Sequence, residues 1–486
     1  MAQLLSEPCS HGTIAAEPCP RELGREVSPK RRRMVLAACV LASSMAFIDG
    51  SALTVALPKL RAELTADLAS VQWVLNGYVL ALASLTLIGG ALADAYGKAR
   101  MLALGCLLFG TASAACALAP SIAWLVGARV VQGVGAAIVA PASLALIGAT
   151  YPRAERNRAI GVWAAASALT TAGGPILGGW LTETFGWQSI FWINPPLALG
   201  TVSLLANYAP EDRREARPFD VVGAVIVAAA LAALAWALSR LGSGESGVAA
   251  TNAATGAEIA VVAGFGLVGL AGYAWWERTS AHPMTPPRLA ENLPFFGLNL
   301  ATLLIYGAAS IMFFLLPFEL IDRRGLSATD AGLAFLPFTL AVGLLSRFFG
   351  TVSDAIGGRI LLIVGPVAAA VAYAWMVAGR ETSLELGVIA PMTLLGLAFA
   401  AIAAPITAAV LSSVDQTDEG LASGVNNAVS RVAQLVGVAL AAGISSWAFG
   451  YVAGLATAAA ASLAGSLAVA ATLPPNIGDP QRSERA

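Results

Sequence analysis

Apolar stretches of about twenty residues, separated by short polar segments, succeed one another from Met34 to Leu473. An α-helix rises 1.5 Å per residue, so about 20 apolar residues cross the hydrocarbon core of a bilayer. Segmenting the chain on this basis predicts an all-α membrane protein with fourteen spans in a six-two-six order. The first six are Met34–Leu57, Val71–Ala93, Met101–Ala119, Ile122–Ile147, Ala159–Leu181 and Ile190–Leu205. Two follow at Val221–Leu238 and Ile259–Trp276. The last six are Phe295–Phe318, Ala331–Phe349, Ile360–Ala378, Leu386–Leu411, Leu421–Ile444 and Trp447–Leu473. The expected organisation is a tail over 1–33, a six-helix bundle over 34–207 and two extra helices with linkers over 208–294. A second six-helix bundle over 295–473 and a tail over 474–486 complete it. Arg240 to Glu258, rich in Gly, Ser, Thr and Ala, reads as an exposed loop. Pro283, Pro286 and Pro287 discourage continuous helix in the linker from Glu277 to Pro294.

One polar segment occurs twice. After the second span the chain reads Gly90-Ala-Leu-Ala-Asp94-Ala-Tyr-Gly97-Lys98-Ala-Arg100, and 260 positions later Gly350-Thr-Val-Ser-Asp354-Ala-Ile-Gly357-Gly358-Arg359. Two copies at matching places imply two related halves. Membrane proteins built that way are usually transporters whose halves rock about a site between them.

Composition narrows the class further. The chain is 57% hydrophobic and 12% charged, with a mean hydropathy of +0.74, against about 25% charged in soluble domains. A formal net charge of -1 leaves no basic surface for nucleic acid. His11 and His282 lie outside the apolar runs, and Cys9, Cys19, Cys39, Cys106 and Cys116 show no CxxC spacing, so neither a metal site nor a disulfide framework is expected. No Ser/His/Asp constellation or phosphate-binding GxxxxGK[ST] loop is present, so neither an enzyme nor a nucleotide-driven pump is expected. No cofactor is expected.

Met1 to Arg33 is polar and ends in Lys30-Arg31-Arg32-Arg33, without the apolar core of a removable signal peptide. With this end on the cytoplasmic side, nineteen Lys and Arg residues fall on cytoplasmic segments and six (Lys59, Arg61, Arg240, Arg323, Arg324, Arg380) on the outer side. The asymmetry places both termini in the cytoplasm of a multi-pass inner (plasma) membrane protein.

An ionisable side chain deep in a bilayer costs about 2.5–3.5 kcal/mol on insertion scales, so each needs a partner or a purpose. Asp49 lies roughly 12 Å from the outer end of the first span and Arg129 roughly 10 Å from that of the fourth, similar depths. Gln72 and Asn76, at i and i+4, share a helix face in the same outer third. Asp49 has two readings: a proton carrier, its affinity balanced between burial and a nearby guanidinium, or a static ion pair that fixes helix packing. Arg431 lies roughly three turns into its helix with Gln434 three residues on, and either lines the central cavity or serves packing. Glu319, at the outer end of the ninth span, is either an interfacial residue or a vestibule charge attracting cations.

Several of these segments together resemble the major facilitator superfamily, and the six-two-six count is similar to its fourteen-helix drug:proton antiporter branch. Phe47-Ile48-Asp49 followed by Thr54-Val55-Ala56-Leu57-Pro58 resembles the branch's first-helix motif with a membrane acid. Gly90, Asp94, Gly97, Lys98 and Arg100, repeated as Gly350, Asp354, Gly357 and Arg359, match the loop signature, which the resemblance implies is a charge latch on one transport state. Ala95 stands where a basic residue is usual. Leu125, Arg129, Gln132, Gly133 and Gly135 are similar to the fourth-helix pattern whose Arg is implicated in proton transfer. Gly174-Pro175-Ile-Leu-Gly178-Gly179 looks like the antiporter motif of the fifth helix. Trp187 and Ile190 to Asn194 fit the stretch entering the sixth, with Gln188 and Ser189 replacing its usual Arg-Trp.

The resemblance implies proton coupling through Asp49 and Arg129, and a substrate cavity with Gln72, Asn76, Gln132, Arg431 and Glu319 as candidate lining. The expected function is export of a small amphipathic or lipophilic compound, a drug or a metabolite, by proton antiport. One deep acid points to neutral or monocationic substrates. The partners expected are the lipid bilayer, protons and the small-molecule substrate; the sequence identifies no protein partner. Proton-coupled uptake of a nutrient or siderophore, or a non-transporting receptor, are the alternatives. The two extra helices either dock a partner or act as spacers.

Overall fold

A computed structural model describes residues 28–210, 220–240, 253–280, 287–414, 419–445 and 449–474. All regular structure among them is helical. The long helices of the first half are α1 (Pro29–Glu63), α2 (Leu68–Tyr96), α3 (Lys98–Ala117), α4 (Ile122–Thr150) and α5 (Arg153–Phe185). A short α6 (Gln188–Trp192) leads into α7 (Asn194–Tyr208), and α8 (Val221–Arg240) and α9 (Ala253–Thr279) follow. After a turn, α10 (Pro287–Glu291), come α11 (Leu293–Phe318), extended by a π-helical turn at Glu319–Arg323, and the short α12 (Ala328–Leu333). The chain continues through α13 (Leu336–Ile356), α14 (Gly358–Ala378), α15 (Ala390–Ser412), α16 (Glu419–Ser445) and α17 (Gly450–Thr472).

Twelve helices among the described residues are long and apolar enough to cross a membrane. The runs of α2 and α5, 29 and 33 residues long, are interrupted by positions outside the described set and are not among the twelve. The linker and loop predicted at residues 277–294 and 240–258 fall partly on segments outside the description. Cys39, Cys106 and Cys116 are buried free thiols; Cys9 and Cys19 lie outside the described residues.

Local chemistry fixes the helix ends. Asp67, Ser121, Asn292 and Ser327 each accept a hydrogen bond from the backbone N–H three residues on, capping α2, α4, α11 and α12. Both copies of the repeated loop turn on a glycine in the left-handed region, Gly97 at φ 105° and Gly357 at φ 85°, a conformation that a Cβ penalises. The basic cluster, expected ahead of the first span, forms the first turn of α1 instead. There Arg31 donates from Nε and Nη2 to the carbonyls of Tyr208 and Ala209 at 2.9 Å each, placing a cation at the negative end of α7.

The packing repeats as the loops do. In the first half α1 packs on α5 and α7, α2 on α4, and α3 on α4 and α7; in the second, α11 packs on α16 and α17, α13 on α15, and α14 on α15 and α17. The halves meet through two crossed contacts, α2 with α16 and α5 with α12 and α13. Helix α8 lies along the α2–α16 seam, where Leu231 and Ala235 pack with Leu435 and Ala439. Helix α9 packs outside it through Gly266 and Gly269, which sit against Leu234 and Ala230. The exposed Val261, Phe265, Val268 and Trp275 of α9 form an apolar face suited to lipid.

Close approach of α2 and α4 depends on Gly133. A Cβ there would lie 2.9 Å from that of Ala81, against the Tyr78 carbonyl, so Gly133→Val must push the helices apart. Overpacking of this kind costs about 1–3 kcal/mol, and thermal unfolding in detergent should show that loss. Gly161 has open space around it; Gly161→Ala should be neutral or stabilise by up to about 1 kcal/mol through helix propensity.

Candidate functional site

Asp49 and Arg129 are both fully buried, on α1 and α4, and the Arg129 Nη1 donates to Asp49 Oδ2. Three more side chains complete the cluster. Gln132, one turn along α4, donates from Nε2 to Asp49 Oδ1 at 2.9 Å and accepts from Arg129 Nη1 at 2.7 Å. Asn194, the first residue of α7, donates to the same Asp49 oxygen at 3.1 Å and to Ser113 Oγ at 2.9 Å. The Ser113 hydroxyl donates to the Phe191 carbonyl at 2.8 Å. Arg129 also donates from Nε to the Val74 carbonyl of α2 at 3.0 Å, and its guanidinium lies 4.2 Å above the Tyr78 ring. Helices α4 and α7 thus converge on the carboxylate of α1, with α3 and α2 joined to the cluster through Asn194 and Arg129.

The electrostatics follow from that geometry. A buried ion pair survives only when hydrogen bonds satisfy the remaining lone pairs and protons. Both Asp49 oxygens are engaged, whereas Arg129 Nη2 has no protein partner. Proton transfer to Asp49 would remove the charge that holds Arg129 Nη1 and leave two neutral contacts to the carboxyl group, from Gln132 and Asn194.

The other predicted residues distribute themselves around this cluster. Gln72 and Asn76 are fully buried on α2, but their amide groups find no protein partner, so water or a bound molecule has to satisfy them. Gln132, read from sequence as cavity lining, lies instead in direct contact with Asp49. Arg431 lies near the middle of α16, hydrogen-bonded to Gln434 at 3.3 Å. Glu319 is nearly buried and held on both oxygens: Oε1 accepts from Arg323 at 2.5 Å and from Arg380 at 3.1 Å, and Oε2 from Arg380 at 3.0 Å. Hydrogen bonding to Glu319 holds the Arg380 guanidinium above its ordinary pKa. These groups, with Arg61, Leu315 and Tyr451, border a cleft of about 220 Å³.

The fifth-helix motif is a contact device. Gly174 and Gly178 face α1, where an added Cβ at Gly178 would come within 2.7 Å of Ala52 Cα. Gly179 abuts the backbone of Ala328 and Thr329, and the Pro175 carbonyl approaches Gly332. Nearby, Glu183 accepts from the Thr329 backbone N–H at 3.2 Å and from its hydroxyl, and Arg61 pairs with Asp322 at 3.7 Å. The two halves are closed together at this end. In the repeated loops, Gly90 sits 3.5 Å from Pro141 and Gly350 has open space; Arg359 donates to the Ala470 carbonyl at 3.0 Å. Lys98 begins α3 and Arg100 is exposed. The side chains of Asp94 and Asp354 lie outside the described set.

Sequence reasoning missed Ser113 and Tyr78, and gave Asn194 no role beyond its place in the stretch entering the sixth span. A signal was present for Asn194: an amide at the start of an apolar stretch, directly before Pro195 and Pro196.

Comparison with known proteins agrees with this architecture. A family model described as Major Facilitator Superfamily matches residues 39–276 and 298–485. The chain is 33% identical over 418 residues to the multidrug resistance protein Stp of Mycobacterium tuberculosis (strain CDC 1551 / Oshkosh), covering 85% of this chain and 76% of that one. It is 30% identical over 409 residues to a tetracenomycin C resistance and export protein of Streptomyces glaucescens, covering 83% and 74%. Against the cephamycin export protein CmcT of Amycolatopsis lactamdurans it is 33% identical over 421 residues, covering 83% of each. Among solved structures it resembles the peptide transporter POT in complex with sulfate, with a TM-score of 0.69 at 15% identity over 94% and 96% of the two chains. A D-xylose-proton symporter gives 0.66 at 15% identity over 92% and 99%. At such identities these structures speak to the fold alone.

Removal of Arg129 tests the pair. Breaking a buried ion pair from one side costs about 3–5 kcal/mol because the partner charge is stranded. Arg129→Met should lose stability on that scale, and Asp49→Asn added to it should restore at least about 1 kcal/mol. Strict additivity in thermal unfolding would mean that the two charges do not depend on each other.

Proposed function

Because this chain belongs to the major facilitator superfamily, we propose that it is a secondary transporter that exports a small amphipathic or lipophilic compound in exchange for protons. The single observation that carries the coupling is the Asp49 carboxylate, fully buried and held by Arg129, Gln132 and Asn194 from three directions. The named export functions of the relatives support the outward direction. We count α2 and α5 as spans as well, which makes fourteen, with 34–207 and 295–473 as the two moving bundles and both termini cytoplasmic.

In the proposed cycle the end carrying Arg61, Asp322 and Glu183 is the outer face, closed here by α5 against α12 and by α2 against α16. Opening it separates these contacts and gives the unpartnered amides of Gln72 and Asn76 access to water. A proton arriving on Asp49 loosens Arg129, which still holds the Val74 carbonyl and the Tyr78 ring of α2, so the charge state of Asp49 biases the position of a gating helix. Proton release to the cytoplasm restores the pair and resets the cycle. An inward proton supplies about 2.3 kcal/mol per 100 mV of membrane potential, in addition to the pH gradient. The repeated loops, with Lys98, Arg100 and Arg359 at their ends, are the latches of the opposite state.

The test is transport by the purified chain in proteoliposomes under an imposed acid gradient, with a panel of dyes and antibiotics. Wild type should move at least one compound uphill. Asp49→Asn should fold and support exchange at equilibrium, but lose uphill transport altogether. Full uphill transport by Asp49→Asn would overturn the proton role, and gradient-driven movement in the opposite direction would favour uptake.

A further inference from the structure

Among the described residues, Arg431 is a charge inside a predicted span that the Asp49 cluster leaves unexplained. It sits 12 residues from Glu419 and 14 from Ser445 in α16, roughly 18 Å and 21 Å along the helix, near its middle. Its hydrogen bond to Gln434 is long, and no carboxylate among the described residues pairs with it. Helix α16 packs on α2, which carries Tyr78, and on α11, where Gly307 beside Tyr306 lies against the Ala433 carbonyl. Though deep in the bundle, Arg431 and Gln434 keep partial exposure, and Asn427 is exposed one turn before. These three fall at i, i+4 and i+7, on one face of α16. The opposite side is anchored, with Asn426 donating to Asn299 and Thr302 of α11 at 3.2 and 3.0 Å. An arginine near the middle of its helix that keeps partial exposure, with no carboxylate paired to it among the described residues, is arranged to receive an anion from elsewhere.

The wall beside it is aromatic. Tyr306 meets Phe399 at 6.0 Å between ring centroids, Phe399 meets Phe338 at 5.6 Å, Phe338 meets Phe313 at 5.2 Å, and Phe313 stacks on Phe335 at 5.6 Å. This chain of rings runs through α11, α15 and α13, from the neighbourhood of Arg431 toward the closed end.

We infer that Arg431 is the anion-binding group of the transport site, and that the preferred substrate is an amphipath with an aromatic body against the Tyr306–Phe399–Phe338 wall and a carboxylate or similar acid on the guanidinium. The inference rests on the export reading and replaces the neutral-or-monocationic expectation, which treated Asp49 as available to a substrate. In the structure Asp49 is fully engaged and neutralised by Arg129, so the surplus charge in the central region is positive. Helix α2 links the two sites: the Tyr78 ring lies under Arg129, and the helix packs on both α4 and α16. An anion on Arg431 and a proton on Asp49 therefore act on two helices that share α2 as a neighbour. An inside-negative potential also favours outward movement of such an anion.

The experiment uses the full chain in detergent and three naphthalene probes of matched size: naphthalene carboxylate, naphthylmethanol and naphthylmethylammonium. Binding is measured by calorimetry and by thermal shift. Wild type should bind the carboxylate tightest, by roughly tenfold or more over the other two. Arg431→Gln should erase that preference while keeping the weaker binding of the alcohol, which shows an intact aromatic wall; Arg431→Lys should retain part of it. Phe399→Ala should weaken all three. Equal or tighter binding of the ammonium by wild type, unchanged carboxylate binding in Arg431→Gln, or no carboxylate binding at all would overturn the inference. A failure of the export reading is distinguishable: no probe or dye would move under a gradient in proteoliposomes, while the carboxylate preference at equilibrium persisted.

Discussion

The structure turns on the price of holding a carboxylate away from water. Asp49 is fully buried among apolar helices, and without a partner its charge would be costly enough to neutralise itself or pull the helices apart. The chain answers with three donors from two other helices: Arg129 and Gln132 from α4 and Asn194 from the start of α7. Those contacts fix how α1, α4 and α7 sit against one another. The same arrangement makes the charge conditional, because one proton removes the reason for the guanidinium to be there. Of the two readings open to a buried pair, static strut and titrating switch, the proposed function takes the switch, with Arg129 reaching on to the backbone and the Tyr78 ring of α2.

Around that centre, small residues decide where the halves touch. Gly178 and Gly179 bring α5 against Ala52 of its own half and Ala328 of the other, so one short segment serves both the internal packing of a bundle and the closure between bundles. Helix α8 lies at the second crossed contact, against both α2 and α16. A helix that touches both partners of this seam takes part in the contact between the halves. The outer helix α9 presents its apolar face away from that seam, so the hairpin covers the seam from the side.

Much of this was legible in the sequence, for identifiable reasons. Span positions follow from hydropathy and length, and the paired loops announced the repeat that recurs in the helix packing. The meeting of Asp49 and Arg129 followed from equal depth, since two opposite charges at one level in a low-dielectric slab have few other partners. The helix ends extended beyond the predicted spans because capping groups such as Asp67 and Asn292 lie outside the apolar runs that hydropathy detects. Pairing across loops was not legible: Glu319 finds Arg380 sixty-one positions away, and nothing in either neighbourhood points to the other. The roles of Gln132 and Ser113 were hidden for a related reason. Single amides and hydroxyls in apolar helices commonly bond to their own backbone, and only the fold distinguishes those that do from those that reach a neighbouring helix.

The most direct measurement of the central claim is difference infrared spectroscopy of the protein in lipid, wild type against Asp49→Asn, across the pH range that drives transport. The account predicts a carbonyl band of a protonated carboxyl group that grows on acidification in wild type and is absent from the variant. A spectrum in which no such band titrates, or in which it titrates identically in the variant, would contradict it.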